Sequence, residues 1–396
     1  MLVAMTINHL DTELRVFTDY TFGFVSTAEG FVFLSGLVAG LVYGRRSARL
    51  SPADLRHQAW RRAGQIYACH LISLLAALLG FQLLLHAGHF VTSPAPALFY
   101  HRPLTALVLG GTFLFQPGLF DILPMYCGFM LALPLVISAL QQGHWRRLLA
   151  LSGGLWLLAQ SDIHGQLEHQ LQTFLPANLG LFDPLAWQLL FVAGASFGFY
   201  RATSTQLLLS FRPAMLAICL TLAVPLWWLI KYQHLPTGLT MDLLWSWAEK
   251  THLGPLRLVS FIVVAYLISA VATFHPRFFT LRPMAFLGRN SLIVFSAQAL
   301  MCALVLAHPG LFATFASRTT IALTMLALLF LVAWLNEVAT RRPMLQRSDP
   351  AARATPPPPP WIQVRPAASV VNHAIPWHPP ASAWRSKSAS SSRSTA

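Results

Sequence analysis

Apolar positions in this chain come in runs of about twenty, separated by short clusters of Arg, turn formers and a few acids. A helix rises about 1.5 Å per residue, so about 20 apolar residues cross a hydrocarbon core of roughly 30 Å. Eight runs have about that length: 25–44, 63–85, 119–141, 184–200, 214–232, 256–274, 285–307 and 319–338. Two shorter ones join them: 147–160, flanked by Arg146 and Arg147, and the opening stub 1–9 (MLVAMTINH). The pattern predicts an all-α polytopic membrane protein of about ten transmembrane helices, the first of them cut short. Residues 104–118 (LTALVLGGTFLFQPG) would break the parity if they crossed. They read as a re-entrant or interfacial helix ended by Pro117-Gly118.

Composition moves the reading away from water altogether. Apolar residues make up 55% of the 396 and charged residues only 10%, against about 25% charge in a soluble domain. Soluble enzyme folds are excluded. The net charge of +14 sits in loops rather than on a separable face, which excludes a nucleic-acid surface. With the N-terminus inside, 21 of the 27 Lys and Arg fall on the inner side, as positive-inside loops require. Both termini are then cytoplasmic. From about Ser348 the composition turns to Pro, Ser, Ala and Arg, including Pro356–Pro360. A transmembrane domain over 1–345 and a disordered cytoplasmic tail over 346–396 are expected. The four cysteines lie within apolar runs and show neither disulfide nor zinc spacing, and no metal site is expected.

Ionisable residues inside spans are expensive, so each is a candidate for function: His9, Glu29, His70, Asp121 and Glu337. Glu29, Gly36, Gly40 and Gly44 fall within about 80° on one helix face. The glycines let another backbone approach, and Glu29 therefore faces protein or a cavity. That face serves packing or chemistry equally well. His9 ends the first apolar segment beside Asn8. A histidine there can act as a general base and Asn8 can orient or donate, or the pair is simply interfacial. His70 lies two turns into the third span, on one face with Tyr67. Arg45, Arg46, Arg61 and Arg62 bracket the same inner loop and either receive the phosphates of a cytosolic cofactor or anchor the helices. Gly194–Gly198 matches G-x-S-x-G but lies inside an apolar helix with no strand before it, and is discarded. His164, Glu168 and His169 lack H-E-x-x-H spacing, and His86 with His89 is too isolated for a metal.

Asn8-His9, AEGFVFLSGLVAGLVYGR from Ala28, and R-x₄-Y-x₂-H at Arg62–His70 resemble the opening of the OpgC family. FDPLAWQLLFVAG at 182–194 and LGRNSLIVFSAQ at 287–298 resemble its later signatures. The resemblance runs over about 1–340. It implies a ten-helix bacterial inner-membrane acyltransferase related to membrane acyltransferase family 3, which adds succinyl groups to osmoregulated periplasmic glucans. The implied donor is a cytosolic acyl-CoA, succinyl-CoA or acetyl-CoA, and no cofactor is held permanently. The family's first-helix histidine falls on His9 and its second-helix glutamate on Glu29. Alternatives are O-acetylation of another surface polysaccharide and a non-enzymatic carrier or flippase of a lipid-linked sugar; the internal repeat common in such carriers is missing. Asn8, Arg15 or the Asn290-Ser291 pair could supply oxyanion donors.

The stub raises a further expectation. Nine residues rise about 13.5 Å, under half of a roughly 30 Å core, and no basic anchor precedes them. Missing turns are expected upstream of Met1, with an arginine among them; a short tilted helix in a thinned bilayer is the alternative.

Overall fold

The structure is a computed structural model that describes residues 1–346 apart from 11, 13, 16–17, 21–22, 87–93, 205–210, 233–239 and 308–313. The tail expected after Ser348 lies outside the described residues. Fifteen α-helices follow in order among those described: α1 (Leu2–His9), α2 (Thr27–Ser47), α3 (Pro52–His86), α4 (Pro94–His101), α5 (Pro103–Gly111), α6 (Ile122–Gln141), α7 (Trp145–Ala159), α8 (Ile163–Gln172), α9 (Pro184–Thr203), α10 (Pro213–Tyr232), α11 (Met241–Trp247), α12 (Pro255–Phe274), α13 (Arg282–Arg289), α14 (Ser291–Leu306) and α15 (Phe315–Gln346). Contacts group Met1–Pro343 into one compact unit and Met344–Ala396 into another, of which only three residues are described.

The fold is all-α and apolar enough to span a membrane several times. Six helices (α2, α3, α6, α10, α12 and α15) are long and apolar enough to cross; α13 with α14, bent by 87° at Asn290, makes a seventh if counted as one span. The other three expected spans coincide with α1, α7 and α9. α1 and α7 have 8 and 15 residues and are short. α9 has 20, but Gln188, Arg201 and several small residues dilute its apolar run.

α2 and α9 pack together more extensively than any other pair, and the reason is two interlocked glycine strips. A Cβ on Gly36 would stand 2.2 Å from the Phe191 carbonyl oxygen and one on Gly40 2.0 Å from that of Ala195. Reciprocally, a Cβ on Gly194 or Gly198 would stand 2.2 or 2.1 Å from the carbonyl oxygens of Phe33 or Leu37. No side chain fits at any of the four positions. The glycines of the discarded G-x-S-x-G match are thus the partner strip, a role the sequence left unassigned.

α3 starts eleven residues earlier than the apolar run that announces it. Ser51 caps it: its Oγ accepts from the Asp54 amide at 3.1 Å and donates to the Asp54 carboxylate at 2.6 Å, with Pro52 at the first helical position. Arg56, Arg61 and Arg62 therefore stand on helical turns and not in a loop. α4 and α5 are too short to cross, which agrees with a non-spanning reading of 104–118. The end of α5 is held by α3: Tyr67 Oη donates to the Gly111 carbonyl at 3.1 Å, and His70 Nε2 lies 3.0 Å from the Gly110 carbonyl.

Candidate functional site

A cavity of about 610 Å³ lies among α1, α2, α3, α6, α9, α13 and α14. Its α2 wall runs from Phe31 to Arg46. Fifteen helical steps of about 1.5 Å make that wall about 22 Å long, most of a bilayer core. The walls are apolar, built from side chains such as Val38, Ile66, Met130 and Phe295. Polar groups gather at the two ends. At one, Arg46 Nη1 donates to Gln58 Oε1 and Arg62 Nη1 to Gln65 Oε1, each at 3.0 Å. Both guanidiniums are solvent-exposed, and Tyr43 Oη donates to the Gln58 carbonyl at 3.3 Å. At the other, Tyr126 Oη donates to the Phe31 carbonyl at 3.1 Å, two residues from Glu29. Arg45 and Arg61 are exposed beside this mouth without lining it. His70 is fully buried, its free Nδ1 unpartnered, and it secures α5 away from the cavity. It does not line the cavity beside Arg46 and Arg62.

Glu29 is also fully buried, and both its oxygens are engaged. Oε2 accepts from the Ser26 amide and Ser26 Oγ, each at 2.9 Å, closing a capping box at the start of α2. Oε1 accepts from Arg257 Nη1 at 2.8 Å. Arg257 Nε donates to the Ala248 carbonyl at 2.8 Å, and its guanidinium lies 5.7 Å from the Tyr20 ring centre. This buried ion pair ties α2 to α12 and to the segment before it. Glu29 does not hold the His9 ring: among the described residues its partners are Ser26 and Arg257.

α1 contributes Met1, Leu2 and Val3 to the cavity wall, and His9 stands two turns farther on. The charged groups that act on its ring are Lys250, Asp19 and Arg15. Arg15 is taken by Asp19 at 2.9 Å, whereas no carboxylate among the described residues pairs with Lys250, whose Nζ lies 5.5 Å from the Phe182 ring centre. Asn8 is tied at both ends to Thr18: its Nδ2 donates to the Thr18 carbonyl at 3.1 Å and its Oδ1 accepts from Thr18 Oγ1. The backbone that carries Lys250 is pinned by Trp187 Nε1, which donates to the carbonyls of Lys250 and Thr251. Glu249 accepts from the Thr251 and His252 amides at 2.7 and 2.8 Å. Burial would raise its carboxyl, but those amides win and hold it below the ordinary glutamate value.

A family model described as OpgC protein matches residues 1–341. The chain belongs to the OpgC family. No curated protein and no solved structure matches it. Membership supports a membrane acyltransferase-like role for the arrangement just described.

In this OpgC chain the expected residues other than His70 separate into three places. Arg46 and Arg62 meet at the cavity mouth, with Arg45 and Arg61 outside it. Asn8 and His9 stand beyond the other end, and Glu29 is enclosed in the helix-start clasp. Ser291 lines the cavity, while Asn290 accepts from Asn336 Nδ2 at 2.7 Å and donates to the Phe286 carbonyl at 3.1 Å. Two residues were missed. Arg257 belongs to no motif, although an arginine at the third position of an apolar helix already calls for a buried partner. Lys250 had no sequence signal beyond its charge.

Proposed function

We propose that this protein is a membrane-embedded O-acyltransferase that moves an acyl group, succinyl in first place, from a cytosolic acyl-CoA to hydroxyls of a periplasmic glucan. The observation that carries the reading is the long apolar cavity, with exposed Arg46 and Arg62 at one mouth and the level of Glu29 at the other. It is shaped for a phosphate-bearing carrier with an extended arm: the guanidiniums take the phosphates and the apolar walls take the arm. The charge split of the loops supports a cytoplasmic position for that mouth, at the inner membrane. α1 is the wall shared by the cavity and His9, so the acyl end leaves the cavity along α1 to meet the acceptor.

There His9 accepts the proton of the sugar hydroxyl as its oxygen attacks the thioester carbonyl carbon. Collapse of the tetrahedral species breaks the carbon–sulfur bond. The proton passes from the imidazolium to the thiolate, leaving an ester and free CoA. The cation of Lys250 favours the developing oxyanion, and Asn8 fixes the loop beside it through Thr18. Glu29 acts as a positioning residue through Ser26 and Arg257.

Purified protein in lipid nanodiscs, given succinyl-CoA and unsubstituted glucan, should release thiol and yield succinylated glucan by mass spectrometry. His9→Ala should lower the rate about 10²–10⁴-fold at unchanged abundance. Preferential use of acetyl-CoA would move the reading to O-acetylation, and use of neither thioester would overturn it in favour of a carrier.

A further inference from the structure

Between α12 and α14 the chain runs HPRFFTLRPMAFLGRN over His275–Asn290, with Arg277, Arg282 and Arg289 and no acidic residue. The sixteen residues form a 3-10 turn, Pro276–Phe279, followed by α13. Every residue from Thr273 to Ala285 is exposed. The large apolar side chains are among them: Phe278 is 72% exposed, Phe279 52%, Leu281 55% and Met284 44%. None of the three arginines forms an ion pair with the described residues; Arg289 lies over the Phe286 ring at 5.8 Å.

Orientation decides what covers this surface. α13 meets α14 at 87°. Where α14 runs across the bilayer, α13 lies in its plane. Arg277, Arg282 and Arg289 put α13 on the inner side by the positive-inside rule, beside the cavity that Leu287 and Gly288 line. An in-plane helix at the headgroup level, with bare Phe, Leu and Met beside unpaired arginines, has the chemistry of an interfacial element: apolar groups enter the acyl boundary and cations meet phosphates.

We infer that His275–Asn290 is a binding surface for anionic phospholipid headgroups of the inner leaflet. Zwitterionic headgroups offer the same apolar boundary but no net charge to three unpaired guanidiniums. Each arginine near an anionic surface should favour the charged lipid about fivefold. Because Met284, Leu287 and Gly288 also face the cavity, the bound headgroups and the cavity share one wall.

The test is native mass spectrometry of the full chain released from nanodiscs of phosphatidylcholine with one third phosphatidylglycerol. The wild type should retain phosphatidylglycerol over phosphatidylcholine in a ratio at least tenfold above the bulk ratio. Arg277→Gln/Arg282→Gln/Arg289→Gln should fall to the bulk share, and the corresponding triple Lys variant should keep the enrichment. Arg146→Gln/Arg147→Gln, at the start of α7, should leave it unchanged. Melting curves in pure phosphatidylcholine discs check that the variants fold; should the triple Gln variant fail, the exposed pair Arg277→Gln/Arg282→Gln decides by the same criterion. The proposal is overturned by bulk composition in the wild type, by undiminished enrichment in the Gln variants, or by equal loss in the Arg146/Arg147 variant.

Discussion

The buried pair of Glu29 and Arg257 shows what a single contact is asked to do. Removing one member of a buried ion pair leaves the other charged without water, at a typical cost of about 3–5 kcal/mol. Glu29→Gln and Arg257→Met should each lower the melting temperature strongly in nanodiscs. The double variant should fall well short of the sum of the two, because no orphaned charge remains. Additive losses in that cycle would mean the two side chains do not act on each other. Glu29 was legible from sequence as an acid that had to face protein. Its partner was not, because 228 positions separate the two and no local pattern connects them. His70 shows the opposite failure: its buried position was legible, but its contact depends on where a short helix ends.

At the scale of elements, the α2–α9 interlock and the pinned segment before α12 behave differently. Gly40→Ala or Gly198→Ala drives a Cβ into a carbonyl, so the helices must part; overpacking of this kind typically costs about 1–3 kcal/mol. Gly64→Ala and Gly153→Ala meet nothing within 4 Å and should be neutral or slightly stabilising. Comparing the four melting temperatures checks the claim. The 249–254 segment answers to acid instead. Its Glu249 carboxylate is favoured by the fold, so its contribution is complete above the ordinary glutamate range and is lost as the pH falls through the lowered value. Hydrogen exchange at the Thr251 and His252 amides, corrected for intrinsic rate, should accelerate there, and Glu249→Gln should show the fast rate at neutral pH. The G-x-x-x-G strip told that something would come close; only the fold tells that the visitor is another glycine strip.

For the whole molecule, hydropathy located each of the six or seven helices that are long and apolar enough to cross among the described residues, and misjudged some of their ends. The basic cluster after α2 has the pattern of a loop, because Arg56, Arg61 and Arg62 interrupt the apolar run without interrupting the helix. Which of the shorter helices cross is a question of topology. A cytosolic reporter fused after Gly143 and a periplasmic reporter fused after Gln172 should both be active, since the expected orientation has α7 crossing between them. Activity of the cytosolic reporter at both points would put α7 on one side of the membrane.

Where backbone rests on backbone there are no rotamers to adjust. α2 cannot slide or roll on α9 without forcing a Cα hydrogen through a carbonyl, so the wall from Phe31 to Arg46 is the stiff side of the cavity. Another wall is a right-angled elbow of eight and sixteen residues, joined at Asn290. Any widening of the cavity therefore falls to the walls other than α2, that elbow among them.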